Sequence, residues 1–235
     1  MQPKIYYEDK DILVCLKPAG IATQTARMAD RDMVSLIKNY LVRQGSPRNP
    51  YLGVIHRLDQ PVGGLLVFAK NKRSAASLSH QSGGEEAHKE YLALCLGHLP
   101  AKEAVLVHYL KKDKAAGRAI ITDEQDKEGK RAELSYRTEA LEESASLLRI
   151  RLKTGRFHQI RAQLSAIGHP LLGDKKYGNP ESGQESAARQ IATTALLACS
   201  LGFNHPVTGK RMEFVMNGED LPQWCRRESQ KPEGR

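Results

Sequence analysis

The stretch HRLDQPVGGLLVFAK, residues 56–70, places charged residues directly before an apolar run. The run at residues 65–69 is short and apolar, which predicts a buried strand. Asp59 precedes a turn with a proline and two glycines, and glycines let another backbone or a ligand approach closely. A carboxylate at the mouth of a core strand is costly unless it is paired or hydrogen-bonded. Asp59 is therefore either a turn aspartate that bonds its own backbone, which is the common case, or a functional acid.

The rest of the chain predicts an α+β fold with a largely antiparallel, mixed β-sheet core and flanking helices and loops. Strands outnumber helices and do not alternate regularly with them, which argues against a doubly wound parallel sheet. Asp30 or Asp32 is expected to cap the first helix. The periodicity predicts strands at residues 12–16, 65–69, 91–96, 133–137, 147–152, 195–203 and 212–215, and helices at 33–42, 74–80 and 160–167.

Three polar stretches, at residues 81–86, 123–130 and 179–190, are predicted to be surface loops rather than domain linkers. We therefore expect a single domain over residues 1–225. The tail at residues 226–235 is predicted to be disordered.

Composition narrows the class of protein. The 235 residues are 40% hydrophobic and 27% charged, as expected for a globular chain, and the net charge of +9 favours a polyanionic partner such as nucleic acid. The alternative is that the charge only aids solubility. No apolar run approaches the roughly 18 residues of a membrane span, and the polar amino terminus is unlike a signal peptide. We expect a cytoplasmic protein.

Several common sites have no motif here. The four cysteines are widely spaced, and there is no HExxH or Cys/His cluster, so we expect no metal. The sequence lacks GxGxxG after a strand and GxxxxGK[ST], so we expect no nucleotide cofactor. It also lacks the GxSxG elbow of serine hydrolases.

Two further segments carry candidate residues. In KTGRFHQIRAQLSAIGHPLLGDKKYG, residues 153–178, a helix is predicted to begin near His158 or Gln159 with Arg156 and Arg161 close by. Such a helix start suits an anion, and the region can hold a phosphate or pair with a carboxylate; the alternative is an ordinary basic helix face. Tyr91 enters an apolar strand, where the common role is a core tyrosine.

Taken together, the segments resemble the RluA-type pseudouridine synthases. Residues 56–70 are similar to their HRLDxxTSGLLLxAK motif, and KEYLALCLG at 89–97 to their KxYxAxVxG strand. GRFHQIRAQLSAIGHPLLGDKKYG at 155–178 is similar to their GRTHQIRxHLxxxGxPxxGDxxYG segment. With the opening strand and KPxG turn and the closing strands, the resemblance runs from about residue 7 to 215.

The resemblance implies an RNA pseudouridine synthase, an isomerase that detaches a uridine base, turns it and rejoins it through carbon five without a cofactor or metal. The catalytic aspartate of the family falls on Asp59, its arginine on Arg161 and its tyrosine on Tyr91. Asp59 either attacks the anomeric carbon or takes a proton from the sugar. Arg161 is expected to pair with Asp59. Tyr91 is expected to stack on the uracil and to move the proton from carbon five.

The target base must leave its stack before it can react. Arg57 is expected to take the vacated space as a wedge, or alternatively to bind a phosphate. His56 is expected to be a neighbour that bonds the turn. The remaining candidate RNA-binding residues are Arg156, His158 and Gln159 at the helix start and Lys111 and Lys112 in a predicted hairpin at 111–118. For the two lysines, the alternative is a solvated surface.

The chain departs from the family motifs in two places. VGG at residues 62–64 replaces TSG, and Gln163 replaces the usual histidine, which affects the expected substrate choice more than the activity. The small RNA-binding domain that many relatives carry is expected to be absent, because the KPAG turn already begins at Lys17. We expect a monomer that acts on a structured transfer or ribosomal RNA.

Two rival functions remain at this point. One is a catalytically inactive RNA-binding protein of the same fold. The other is a metal-dependent or glycosidase-like hydrolase that uses Asp59. It would need a second carboxylate or a cluster of metal ligands, and Asp174 is the nearby motif candidate.

Overall fold

The computed structural model describes residues 2–25, 31–84 and 86–226. The chain divides into two compact units: unit 1 combines residues 1–90 with 197–216, and unit 2 combines 91–196 with 217–235. The single catalytic domain expected over residues 1–225 is not tested by this division and stays a prediction. The predicted disordered tail lies outside the described residues except for Arg226, and the candidate cap Asp30 lies outside them as well.

Strands dominate the secondary structure. The strands are β1 (Lys4–Glu8), β2 (Ile12–Lys17), β3 (Gly53–Val54), β4 (Gly63–Ala69), β5 (His88–Leu96), β6 (Glu103–Asp113), β7 (Arg118–Thr122), β8 (Lys130–Leu141), β9 (Ala145–Leu152), β10 (Leu196–Asn204) and β11 (Arg211–Val215). The helices are α1 (Met33–Arg43), α2 (Lys72–Ser82), α3 (Gln159–Ala166) and α4 (Pro180–Ala188). Within the described ranges, each helix is too short or too polar to cross a membrane.

Unit 1 is built around β2 and β4, which pair in antiparallel fashion. β1 pairs antiparallel with β2, and β3 with β4. β10 runs parallel to β4 and antiparallel to β11. Both central strands bury nearly all of their side chains, which explains why ILVCL and LLVFA are continuous apolar runs without polar alternation.

Unit 2 contains an antiparallel set in which β6 pairs with β7 and β8, and β8 pairs with β9. Alternate residues of β8, among them Ala132, Leu134 and Tyr136, are buried, as expected for a sheet with one packed face. α3 packs against β6 and β7. The largely antiparallel pairing with a parallel β4–β10 pair confirms the predicted α+β class, and the hairpin predicted at residues 111–118 joins β6 to β7.

Helix starts show where the sequence reasoning succeeded and failed. Asp32 caps α1 by accepting a hydrogen bond from the Ser35 amide at 2.7 Å, as predicted. The prediction of a surface loop at residues 179–190 was wrong, because most of it forms α4. Asn179 accepts from the Ser182 amide at 2.8 Å, and the Ser182 hydroxyl accepts from the Asn179 amide at 2.9 Å. Asn179, Pro180 and Ser182, which the sequence analysis assigned to a loop, form the N-cap and the first turn of this helix.

Gly64 allows the close approach of β4 and β10. Its φ is +132°, a conformation that side chains rarely adopt. A Cβ at this position would lie 2.5 Å from the backbone nitrogen and oxygen of Ala198. At Gly63, by contrast, the nearest contact of a Cβ would be the Leu197 side chain at 3.4 Å, an ordinary van der Waals distance. The glycine at 63, where the family motif has serine, is therefore not required by the space around its Cβ.

We predict that Gly64→Ala lowers the free energy of unfolding by about 2–4 kcal/mol, because it combines backbone strain with overpacking. Gly63→Ala is the matched control and should change it by less than about 1 kcal/mol. Urea unfolding followed by far-UV circular dichroism measures both. Equal losses in the two variants would contradict this account of the β4–β10 contact.

Candidate active site

Asp59 lies in the loop before β4, residues 56–62, called here the Asp59 loop. The segment that follows β2 binds this loop on both sides of Asp59. Thr23 Oγ1 donates to the Leu58 carbonyl at 3.0 Å and accepts from the Leu58 amide at 3.1 Å. The Gly20 amide donates to the Gln60 carbonyl at 2.8 Å, and Gln60 Nε2 donates back to the Gly20 carbonyl at 3.1 Å. These reciprocal bonds fix the backbone that carries Asp59.

Lys17, the last residue of β2, lies beneath the Asp59 loop with 0% of its surface exposed. Its Nζ donates to the carbonyls of Pro18, Gln60 and Val62, at 3.0, 3.1 and 2.6 Å. Burial lowers the pKa of Lys17 to about 8, while the negative charge of Asp59 acts in the opposite direction. Lys17 is therefore still mostly an ammonium at neutral pH, and its charge interacts with the Asp59 carboxylate.

The other charged residues of the loop differ in exposure. Asp59 is half-buried and Arg57 is exposed. Burial and the positive charge of Lys89 hold the pKa of His56 well below its ordinary value, while a hydrogen bond with the Leu65 backbone acts the other way. The Nδ1 atom of His56 has no partner among the described residues. His56 is thus a neutral ring that is linked to β4 by this hydrogen bond, and its expected role beside the turn stays a prediction.

In unit 2, Arg161 forms a buried bidentate ion pair with Asp174. Both residues are 4% exposed. Arg161 Nε lies 2.7 Å from Asp174 Oδ2 and Nη2 lies 2.8 Å from Oδ1. Asp174 Oδ1 also accepts from the amides of Lys176 and Tyr177, at 3.0 and 3.2 Å. Burial raises the pKa of Asp174, but the hydrogen bonds and charge of Arg161 outweigh it and leave the pKa below its ordinary value.

The sequence reasoning missed this partner of Arg161. Asp174 was noted as part of the GDKKYG motif, but its contact with Arg161 was not predicted. Its oxygens are engaged by a guanidinium and two amides, which makes it a poor second carboxylate for a hydrolase. Asp59 belongs to unit 1 and Arg161 to unit 2, and their expected pairing stays a prediction. A guanidinium has five N–H donors, so one arginine can bind two carboxylates.

A chain of ring contacts extends from Arg161 toward the surface of unit 2. The Arg161 guanidinium lies 5.0 Å from the ring centroid of Tyr177. The Tyr177 hydroxyl accepts from the Ala119 amide at 2.5 Å and lies 2.9 Å from His158 Nδ1. His158 has a φ of +52°, and its ring stacks on Phe157 at 3.7 Å.

The remaining residues predicted at the start of α3 mostly bind other parts of unit 2. Gln159 is buried, and its Oε1 accepts from Thr154 Oγ1 at 2.8 Å and from the Arg156 amide at 2.9 Å. Its Nε2 donates to the Glu133 carbonyl at 3.1 Å. Arg156 is exposed and its Nε donates to the Arg131 carbonyl at 2.9 Å. These bonds account for both residues as structural elements, and their substrate roles stay predictions.

The two predicted hairpin lysines have different surroundings. Lys111 forms an ion pair with Asp126 at 2.5 Å. Lys112 Nζ lies 4.7 Å from the ring centroid of Phe157. In the part of the chain that the structure describes, Lys112 forms no ion pair with a carboxylate. The charge of Lys112 is thus less compensated than that of Lys111.

Tyr91 and Gln163 are both buried, with 7% and 0% of their surfaces exposed. Gln163 Nε2 contacts the carbonyls of Leu106 and Ala132, at 3.2 and 3.3 Å, and His108 Nδ1 at 3.0 Å. The glutamine that replaces the family's histidine therefore joins α3 to β6 and β8.

One group of metal-ligating side chains occurs in the described residues, formed by Asp9, Asp11 and His205, with ligand atoms within 4.8 Å of one another. His205 Nδ1 accepts from the amides of Val207 and Thr208, at 3.3 and 3.1 Å, so the ring proton belongs on Nε2. Nε2 then donates to Asp9 Oδ2 at 2.8 Å. Because the lone pair of Nδ1 is occupied by two amides and Nε2 carries the proton, neither nitrogen is available to a metal, and we interpret the group as a hydrogen-bonded connection.

Comparisons with known proteins agree with the resemblance. The profile of the family described as RNA pseudouridylate synthase matches residues 11–166. The chain is 34% identical to ribosomal large subunit pseudouridine synthase D of Zymomonas mobilis, over 94% of this chain and 69% of that protein. It is also 34% identical to ribosomal large subunit pseudouridine synthase C of Salmonella typhimurium, over 94% of this chain and 68% of that protein. The chain spans about two thirds of the length of these curated relatives.

Among solved structures, human RNA pseudouridylate synthase domain containing 1 superimposes with a TM-score of 0.75 at 23% identity, over 96% of this chain and 86% of that chain. At this level of identity the match shows a shared fold, and it confirms the predicted fold class.

We predict that Asp174→Asn lowers the free energy of unfolding by about 3–5 kcal/mol at pH 7, because it removes the carboxylate charge of a buried bidentate ion pair with Arg161. The folded-state pKa of Asp174 lies below its unfolded value, so its contribution is complete above the unfolded value and is lost as the pH falls through the folded one. The difference between wild type and variant should therefore shrink below about pH 4.

Urea unfolding at pH 7, 5 and 3 measures this difference. Glu103→Gln, which removes an exposed carboxylate, is the control and should change stability by less than about 0.5 kcal/mol. A difference between wild type and Asp174→Asn that is small at pH 7, or that does not vary with pH, contradicts the prediction.

Proposed function

Because the chain belongs to the RNA pseudouridylate synthase family, we propose that it isomerises uridine to pseudouridine in a structured RNA, with Asp59 as the catalytic residue. The observation that supports this most directly is the Asp59 loop, whose backbone is bound by Thr23, Gly20 and the buried ammonium of Lys17. A reacting group must be held in place before substrate arrives, and these bonds do so. The names of the relatives favour RNA of the large ribosomal subunit, and a transfer RNA is the other candidate.

The proposed reaction breaks the bond between N1 of uracil and C1′ of the ribose and forms a bond from carbon five to C1′. Asp59 acts at the sugar, either by bonding to C1′ or by removing a ribose proton. The two routes place different demands on the carboxylate, and both need it ionised and within reach of an extruded nucleoside. Its half-buried position, with the Lys17 charge nearby, is compatible with either route.

The guanidinium of Arg161 is proposed to bind two carboxylates, that of Asp174 and that of Asp59. The bidentate pair with Asp174 fixes the plane of the guanidinium, and the Tyr177 ring packs against it. An arginine held in this way needs no reorganisation when charge develops during the reaction. Its role is electrostatic, since a guanidinium stays protonated at physiological pH.

The other proposed roles follow from exposure. Tyr91 is buried in β5, which suits a ring that stacks on the uracil and a hydroxyl that moves the proton from carbon five. Arg57 is exposed, as required of a side chain that enters the space left by the extruded base or that binds a phosphate. We propose that the enzyme works in the cytoplasm as a monomer, without a metal or nucleotide cofactor.

The decisive experiment incubates the purified chain with ribosomal and transfer RNA and maps pseudouridine by carbodiimide modification. We predict that wild type forms pseudouridine at defined positions and that Asp59→Asn forms none, because an amide is neither the nucleophile nor the base that the reaction needs. Asp123→Asn, which changes an exposed aspartate, is the control and should retain the wild-type rate.

The rival functions give different results in the same assay. RNA binding without conversion by wild type identifies an inactive RNA-binding protein, and release of free uracil identifies a hydrolase. Conversion by Asp59→Asn at the wild-type rate contradicts the role of Asp59. Addition of EDTA should leave the conversion unchanged.

A further inference from the structure

An exposed aromatic ring lies at the surface of unit 2. Phe157 is 39% exposed, although it is a large apolar residue. Its ring stacks on His158 with a centroid distance of 3.7 Å and an interplanar angle of 23°. Lys112 Nζ lies over the same ring at 4.7 Å. We call these three residues, Phe157, His158 and Lys112, the Phe157 platform.

The platform is held in position from below. His158 adopts a left-handed backbone with φ +52°, which is strained for a residue with a side chain. Its Nδ1 lies 2.9 Å from the Tyr177 hydroxyl, and its ring meets the Tyr177 ring edge-on at 5.6 Å and 83°. The Ala119 amide in turn anchors the Tyr177 hydroxyl. Backbone strain that the surrounding structure maintains is found mainly at functional sites.

The charge of the platform also points to a ligand. Lys112 forms no ion pair with a carboxylate in the described ranges, whereas the neighbouring Lys111 is paired with Asp126. The chain as a whole carries a net charge of +9, so a polyanion is attracted to it. A flat aromatic surface beside an uncompensated cation matches a nucleotide, which offers a flat base and an anionic phosphate.

We propose that the Phe157 platform stacks an unpaired base of the RNA substrate and that Lys112 binds a phosphate of the same strand. This inference rests on the proposed function for the identity of the ligand as RNA. An exposed contact between an ammonium and an aromatic ring is weaker than the stacking of a base on that ring, so the base displaces Lys112. The flexible stem of the lysine lets its ammonium move to the backbone phosphate.

The bound base is a different nucleotide from the target uridine, which is assigned to Asp59. The platform connects to Arg161 through the Tyr177 ring, which contacts both His158 and the guanidinium. Phe157 stands where the family motif GRTHQIR has threonine, so the platform is a feature of this chain rather than of the motif. It therefore selects RNAs that offer, in addition to the target uridine, an unpaired nucleotide that is free to stack.

The first test measures binding by fluorescence anisotropy with a labelled 12-nucleotide oligouridylate and with an abasic oligomer of the same length. All proteins carry Asp59→Asn so that no turnover occurs. Phe157→Ala should weaken binding of the oligouridylate by about 5- to 100-fold, and Phe157→Leu by a similar factor. Phe157→Trp should keep the wild-type affinity. The abasic oligomer should bind equally to all four proteins.

Two results would overturn the proposal. One is equal affinity of Phe157→Ala and its parent for the oligouridylate. The other is the same loss on the abasic oligomer, because a base-stacking site cannot act on a strand without bases. Phe157→Trp tests whether a loss of affinity in Phe157→Ala comes from misfolding. If another flat ring at this position keeps the affinity, the loss in Phe157→Ala comes from the missing ring.

The second test compares the two neighbouring lysines through the salt dependence of binding. Lys112→Ala should reduce the slope of log affinity against log salt by about 0.7, the value for one phosphate contact with a single strand. Lys111→Ala should reduce the slope less than Lys112→Ala does, because Asp126 partly neutralises the charge of Lys111. Equal slopes in the two variants would overturn the assignment of Lys112.

These tests separate the platform from the proposed function. If wild type forms pseudouridine but the Phe157 variants bind like their parent, the platform is wrong and the function stands. If affinity depends on Phe157 as expected but wild type forms no pseudouridine, the platform stands and the function is wrong.

Discussion

The buried ammonium of Lys17 is the interaction on which the geometry of the Asp59 loop depends. A cation with no exposed surface is unstable unless its donors are satisfied, and here three backbone carbonyls satisfy them. Two of those carbonyls, from Gln60 and Val62, follow Asp59 in the chain. The loop cannot move away without leaving a charge unsolvated in the interior. A structural requirement of unit 1 therefore also positions its candidate catalytic carboxylate.

Sheet register explains why the lysine reaches this loop. Lys17 is opposite Gly64 in the antiparallel pairing of β2 with β4, so the end of one strand meets the loop that opens the other. Gly64 in turn lets β10 approach β4 closely. Unit 2 also contains a buried cation, Arg161, but a carboxylate, that of Asp174, balances its charge where carbonyls bind Lys17 in unit 1. A buried ion pair fixes the direction of the guanidinium, whereas carbonyls fix the backbone around an ammonium.

Local patterns predicted the parts of the fold that depend on neighbouring residues. The apolar runs of β2 and β4, the Asp32 cap and the β6–β7 hairpin were all readable in this way. α4 was missed because Asn179, Pro180 and Ser182 favour both loops and helix starts, and only the reciprocal cap distinguishes the two.

Partners that are distant in the chain were beyond such patterns. The burial of Lys17 under residues 60–62 and the pairing of Arg161 with Asp174 are tertiary contacts, and no periodicity encodes them. For Asp59 itself, elementary chemistry favoured an ordinary turn residue. Asp59 was chosen as the catalytic candidate because the surrounding motifs resemble those of a known family. The structure adds the buried cation Lys17 near this carboxylate, which the motifs did not predict.

The most direct test of this account is an NMR titration of the ε-carbon of Lys17 in protein labelled with ¹³C-lysine. The account predicts a pKa for Lys17 of about 8 in wild type. It predicts a lower pKa in Asp59→Asn, because the carboxylate charge that favours the ammonium is then removed. A Lys17 pKa near 10.5 in wild type, or one that does not change in Asp59→Asn, would contradict the claim that this buried cation underlies the Asp59 loop.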